Sequence, residues 1–278
     1  MYLTGICKVE ELAAKIFFNK LIENAMNEEY LFHFTKKRKN LINILLSGFK
    51  PFYCFERLDY LPIKDKNENK FEMAFPMVCF CDISNEEEIL KHKKKFGNYG
   101  IGMKKEWAKK NYLTPVIYCN EKTLTAESLN YFIDFLETYK SCLSPKKFEK
   151  LKIAISVLLI QYKSYEGFEY DSKNKRFKSR QKKFYDEREW RYIPHKMNKL
   201  KYNLIKEEYD DKEKRNEANS ELHKRKENIL TFSANDIGSI ILRDKDEEEF
   251  ILSKIKNRYS VFELKKIQQK IRIENEIT

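Results

Sequence analysis

The chain has 278 residues, 42% of them hydrophobic and 35% charged, with a formal net charge of +12. That length buries a substantial core in one large or elaborated domain, and 17 Tyr with 20 Phe argue for a folded protein despite the charge. Only 7 Gly and 6 Pro, with no Walker-type or dinucleotide-binding glycine motif, argue against a propeller or a Gly-rich nucleotide fold.

Residues 9–26 read as an amphipathic helix and Leu31 to Thr35 as a short strand. Lys37 to Ser47 reads as a second helix, closed by Gly48. Phe75 to Cys81 looks like a buried strand, and Ser84-Asn-Glu-Glu87 predicts a capped helix ending near Gly97. Tyr99 to Met103 and Pro115 to Cys119 are expected as strands flanking a short helix that carries Trp107. A helix capped by Thr125 and another opened by Ser144-Pro145 form a hairpin inserted between strands. Residues 163–183 read as a basic, aromatic-studded loop, and Lys183 to Ile193 as a strand. Residues 195–228 form a charged excursion, helical in part, and a strand–helix–strand pattern (Ser239 to Leu242, 245–257, Tyr259 to Leu264) closes the chain. Strands and helices without regular alternation predict an α+β fold rather than doubly wound α/β.

The run Lys183-Phe-Tyr-Asp-Glu-Arg-Glu-Trp-Arg-Tyr-Ile193 carries the sharpest signal. Strand alternation sends Tyr185, Glu187, Glu189, Arg191 and Ile193 to one face, opposite an aromatic face with Phe184, Trp190 and Tyr192. Two carboxylates on one face suit a cleft that stabilises a developing sugar cation. The plainer reading is a solvated strand whose acids pair with Arg191 and nearby lysines. Upstream, Lys175, Arg176, Phe177, Lys178, Arg180 and Lys182 interleave cations with rings, the ingredients of single-strand nucleic-acid binding. His33 beside Thr35 can hydrogen-bond a ribose hydroxyl, or else tie a strand end to a neighbouring carbonyl.

Positive charge favours anionic partners, nucleic acid first, although a Lys- and Asn-rich composition also accompanies AT-rich genomes. Six cysteines show no paired framework, the amino terminus does not read as a signal peptide, and the longest apolar run, near Ile153 to Ile160, is too short to span a membrane. A reduced, cytoplasmic location is expected. Cys79-Phe-Cys81 with His92 lacks a second ligand pair at metal-site spacing, so no metal is expected. The acids also lack the spacing of a metal-dependent nuclease.

Taken in order, His33-Phe-Thr35, Ile44-Leu-Leu-Ser-Gly-Phe49, Tyr53-Cys-Phe-Glu56, Pro76 to Ser84, Tyr99 to Trp107, Asn111 to Tyr118 and Glu187-Arg-Glu-Trp-Arg191 resemble the AbiGi family of bacterial abortive-infection (phage-resistance) proteins. Members are described as antitoxins of a two-component system, which implies a cognate toxin partner. The opening segment is also similar to DarT-type DNA ADP-ribosyltransferases, and Glu187-x-Glu189 to the Glu-x-Glu of the wider superfamily. That second resemblance implies a split, mixed β-sandwich with flanking helices, and NAD as substrate. His33 and Thr35 would contact NAD, Tyr53 or Tyr99 would stack on nicotinamide, Glu189 would be catalytic and Glu187 would orient the target. The expected organisation is a single elaborated domain over 1–278: a core with the NAD cleft (30–120 and 164–195), a helical hairpin (121–163), the charged excursion (196–230) and a C-terminal unit (231–278). The function expected first is an anti-phage effector with ADP-ribosyltransferase-like chemistry, transferring ADP-ribose from NAD to a macromolecule, nucleic acid first; the alternative is a non-enzymatic antitoxin, sensor or nucleic-acid-binding regulator.

Overall fold

The computed structural model describes residues 29–62, 71–83, 85–171, 173–195, 197 and 200–273, so the helix expected over 9–26 and the cap expected at Ser84 lie outside the described residues. The fold is α+β, and its main sheet is chiefly antiparallel. The long strand β3 (Glu72–Asp82) organises it, because its apolar run is buried on both faces. Its C-terminal half lies between β1 (Tyr30–Thr35) and β10 (Glu189–Tyr192), and its N-terminal half pairs with β2 (Phe52–Arg57) and β11 (Leu204–Ile205). Beyond β1 lie β4 (Tyr99–Lys104), β12 (Ile237–Leu242) and β13 (Ile271–Ile273), and β5 (Thr114–Pro115) borders β10. The β12–β13 pair is parallel.

One pairing detail shapes the rest. Strand β1 stays in register with β4 from Tyr30 to Thr35, but its ladder with β3 covers only Leu31↔Asp82 and Phe32↔Cys81. The two strands therefore part after Phe32. His33 Nδ1 bridges the gap, donating to the Cys79 carbonyl at 2.8 Å.

Helices α1 (Arg38–Ser47), α3 (Lys105–Lys110), α8 (Glu247–Ile255) and α9 (Val261–Gln268) contribute to the main core around Leu41, Phe80, Ile101, Trp107 and Ile251. Helix α2 (Glu86–Phe96) lays Ile89 against Phe32 and Ile241 in a second cluster. The hairpin α4 (Leu124–Thr138) and α5 (Pro145–Gln161) is anchored by Leu129, Leu159 and Ile160 on Phe75 and Met77. The excursion holds α6 (Lys206–Asp210) and α7 (Lys212–Lys224), with Leu222 packed on Tyr53 and Ala74.

Several boundaries differ from the sequence reading, each for a local reason. Asn85 caps α2 by accepting from the Glu88 amide at 2.8 Å, and Thr123, not Thr125, caps α4 through the Ala126 amide. Residues 115–119 divide between β5 in the main sheet and β6 (Ile117–Cys119), which pairs in parallel with β7 (Tyr162–Ser164). The expected loop 163–183 is β7 followed by a hairpin of β8 (Glu166–Asp171) and β9 (Arg176–Lys183). Tyr259 to Leu264 is no strand: Ser260 and Glu263 form a capping box that opens α9. The run 183–193 is not one strand either. Phe184–Glu187 is a 3₁₀ turn, Arg188 is left-handed at φ 43°, and only Glu189–Tyr192 is extended.

Gly48 ends α1 as expected, its N–H donating to the Ile44 carbonyl at φ 85°. A β-carbon there would lie 2.3 Å from the Leu230 carbonyl oxygen. Gly48→Ala is therefore expected to cost on the order of 1–3 kcal/mol in equilibrium denaturation, and an unchanged midpoint would contradict this account of the junction.

Candidate functional site

Strand alternation places Glu189 and Arg191 on the same face of β10, and both are buried, Arg191 completely. Arg191 Nε donates to Glu189 Oε1 at 2.7 Å, Nη2 to Glu56 Oε1 at 2.5 Å and Nη1 to the Ile160 carbonyl at 2.5 Å. Glu187 reaches the same place by a different route. The 3₁₀ turn and left-handed Arg188 fold it back, and its carboxylate meets Lys163 Nζ at 2.8 Å and Lys95 Nζ at 2.9 Å, with Lys182 also bound. Lys163 on β7 also donates to Glu189 Oε2 and lies 3.7 Å from Glu56. Three carboxylates (Glu56, Glu187, Glu189) thus meet four cations (Lys95, Lys163, Lys182, Arg191) in one network.

Burial alone would raise both glutamate pKa values. Arg191 and Lys163 overcome it and hold Glu189 at about 2, while Lys163, Lys182 and Lys95 hold Glu187 well below the ordinary carboxylate value. Burial works against the charge of Lys163, but Glu187, Glu189 and Glu56 raise its pKa well above the lysine norm. Burial and neighbouring Lys95 hold Lys182 below that norm. His33 is lowered by burial, which favours the neutral imidazole with Nδ1 donating to Cys79.

The network forms one wall of a cavity of about 350 Å³ that opens where β1 parts from β3. His33, Glu187 and Glu189 all line it. Thr35 does not. It accepts from Asn40 Nδ2 at 2.9 Å and lines a neighbouring cavity of about 790 Å³. The two proposed stacking tyrosines also lie elsewhere. Tyr53 is buried under α7 with its hydroxyl on the Lys201 carbonyl, and Tyr99 donates to Glu247 at 2.7 Å. The rings facing the cavity include Phe55, Phe96, Phe168, Tyr170, Phe177 and Phe184. Glu56 Oε2 and Ser164 Oγ, from two lining residues, are buried without a hydrogen-bond partner.

The basic stretch divides between outside and inside. Lys175, Arg176, Lys178 and Arg180 are exposed, with Lys178 paired to Glu169 at 3.0 Å. Phe177 turns inward under Arg57, whose guanidinium sits 4.3 Å from the ring centroid, and Lys182 turns inward onto Glu187. The sequence reading missed Lys163, Lys95 and Glu56 as site residues. They come from β7, α2 and β2, and no local pattern links them to β10. Among the described residues, no group of three or more His, Cys, Asp or Glu side chains could hold a metal ion, and no helix is long and apolar enough to cross a membrane.

An α+β protein with a split sheet and a buried acid–base network at the split is the class that these features define. Residues 47–243 match the family described as "Putative abortive phage resistance protein AbiGi, antitoxin", so the chain belongs to the AbiGi family. It is also similar to "Abortive phage resistance protein AbiGi" of Lactococcus lactis subsp. cremoris, 27% identical over 223 residues covering 76% of this chain and 88% of that protein. No solved structure matches the chain.

Glu187, Glu189 and His33 all bind fewer protons folded than unfolded in acid. Their contribution is fully present above the ordinary histidine value of 6.5 and is lost as pH falls, most steeply below the ordinary carboxylate value of 4.5. Melting temperature should therefore drop through that window, and Glu189→Gln should flatten the acid limb; superimposable limbs would contradict the assignment. Glu189→Gln should also cost about 3–5 kcal/mol at neutral pH, because it leaves buried cations short of a partner.

Proposed function

We propose that this chain is the non-enzymatic antitoxin of an abortive-infection pair, and that its Glu-x-Glu segment is structural. The observation that carries this reading is that both oxygens of Glu189 are occupied, Oε1 by Arg191 and Oε2 by Lys163. A sugar cation forming beside Glu189 would meet the Lys163 ammonium, and the repulsion would offset the stabilisation a free carboxylate provides. The description of the matched family as an antitoxin supports the same reading. The described cysteines are all free, which suits work in the reducing cytoplasm.

A second reading has one observation in its favour. His33, Glu187, Glu189 and several rings line one cavity, with the cationic β9 at its border. On that reading the chain is an ADP-ribosyltransferase-like effector that transfers ADP-ribose from NAD to a macromolecule, nucleic acid first. Glu189 would grip the nicotinamide ribose once Lys163 moved off it, and His33 Nε2 would be left for a ribose hydroxyl.

Expression of the wild-type chain alone in bacteria separates the two without relying on a destabilised variant. The antitoxin reading predicts normal growth, rescue of cells that express the neighbouring toxin, and no label transferred from radiolabelled NAD to DNA, RNA or protein. Growth arrest by the chain alone, with label transfer, would reverse the order of the two readings.

A further inference from the structure

Among the described residues, six buried side-chain oxygens lack a hydrogen-bond partner. Three of them, Asp59 Oδ2, Tyr60 Oη and Ser164 Oγ, belong to residues that line one cavity of about 460 Å³. Burying a polar atom without a partner is costly, and most folds avoid it. The cavity lies where the turn after β2, the ends of β6 and β7, and the β8–β9 hairpin meet. Ser164 also borders the cavity of the acid–base network, but Asp59 and Tyr60 do not. Tyr60 is 1% and Ser164 4% exposed, so bulk solvent does not satisfy their hydroxyls.

Two contacts hold the Asp59 carboxylate in place. Oδ1 accepts from Arg57 Nε at 2.6 Å, and Oδ2 lies against the backbone of Gly167, where a β-carbon would be 2.6 Å away. Gly167 is not at positive φ, so glycine serves this close approach and not the backbone conformation.

The chemistry of the three oxygens selects the ligand. A carboxylate oxygen can only accept, and the hydroxyls of Tyr60 and Ser164 can accept as well. The set therefore asks for donors, and Asp59 repels an anion such as phosphate. A water molecule donates twice, whereas a primary ammonium donates three times and carries the charge opposite to the carboxylate. Glu121 and Glu166, both exposed, also line the cavity, and the Phe168 ring offers an apolar wall. Of the flanking cations, Lys182 is held by Glu187 and Lys183 lies 3.6 Å from Asp186; neither they nor Lys122 and Arg180 line the cavity.

We propose that this cavity binds a short alkyl diamine. One ammonium donates to Asp59 Oδ2, Tyr60 and Ser164, the methylenes pass Phe168, and the second ammonium lies at Glu166. Asp59, Tyr60, Ser164 and Glu166 stand outside the acid–base network, so the site is independent of both readings of function.

The test is calorimetry and thermal unfolding of the full chain with putrescine and spermidine. The neutral diol of putrescine's length and Nα-acetyl-lysinamide serve as controls. Putrescine should bind saturably and raise the melting temperature, and the diol should do neither. Tyr60→Phe/Ser164→Ala deletes two unpartnered hydroxyls. It should bind putrescine more than about 10-fold more weakly, yet unfold no earlier than wild type when ligand is absent. Glu166→Gln, at an exposed position, should weaken putrescine binding about 2- to 5-fold with an unchanged midpoint. The site is overturned by no binding of either diamine, by equal binding of the diol, or by affinity that both variants retain. Tighter binding of Nα-acetyl-lysinamide would assign the cavity to a lysine side chain of another protein and overturns the diamine. A lowered midpoint of the double variant without ligand also overturns the proposal, because the hydroxyls would then have partners within the fold.

Discussion

The Lys163 ammonium, enclosed between Glu187 and Glu189, is the constraint from which the rest of the site follows. Burying Arg191 at the centre of the sheet demands counter-charges. Glu189 and Glu56 supply them, and Lys163 joins both to Glu187, whose carboxylate also takes Lys95 and Lys182. The partners come from α2, β2, β7, β9 and β10, so one network fastens the β8–β9 hairpin and the strand that ends the helical insert to the main sheet. Such clusters stabilise little relative to an apolar core, but removing one member leaves charges stranded. The network brings elements distant in sequence to one place.

The same network sets what the cavity can do. At the split between β1 and β3, His33 takes the place of a missing ladder bond, and the space behind it is lined by rings and by paired charges. Acids held ionised by adjacent cations present little net negative field to a bound molecule. Both oxygens of Glu189 are taken by cations, whereas Glu56 Oε2 and Ser164 Oγ are left without a hydrogen-bond partner. Membership of the AbiGi family places the chain in anti-phage defence.

The sequence was legible where local signals and burial agreed. The α+β class, the stop at Gly48, the entry at Pro145 and the helical hairpin followed from apolar spacing and terminal residues. The route of the Glu-x-Glu run was not legible. A left-handed Arg188 has no signature in an arginine, and strand alternation brings Glu187 to the same side as the observed turn does, so the pairing could be anticipated by a wrong path. The plainer reading of that run, acids paired with Arg191 and lysines, matches the contacts; its expectation of solvent exposure does not, since the cluster is buried. Lys163 and Glu56 could not be found from local pattern at all, because their role arises only when β2 and β7 meet β10.

The claim at the centre of this account is that Lys163 and Glu189 are energetically coupled in the folded chain. A double-mutant cycle on Lys163→Met and Glu189→Gln, read by denaturant unfolding at neutral pH, measures that coupling directly. The account predicts that each single change is severe and that the pair together costs far less than their sum, with a coupling energy of about 2 kcal/mol or more. Additive effects, with coupling below about 0.5 kcal/mol, would show that the two charges do not support one another and would contradict the structural role assigned to the network.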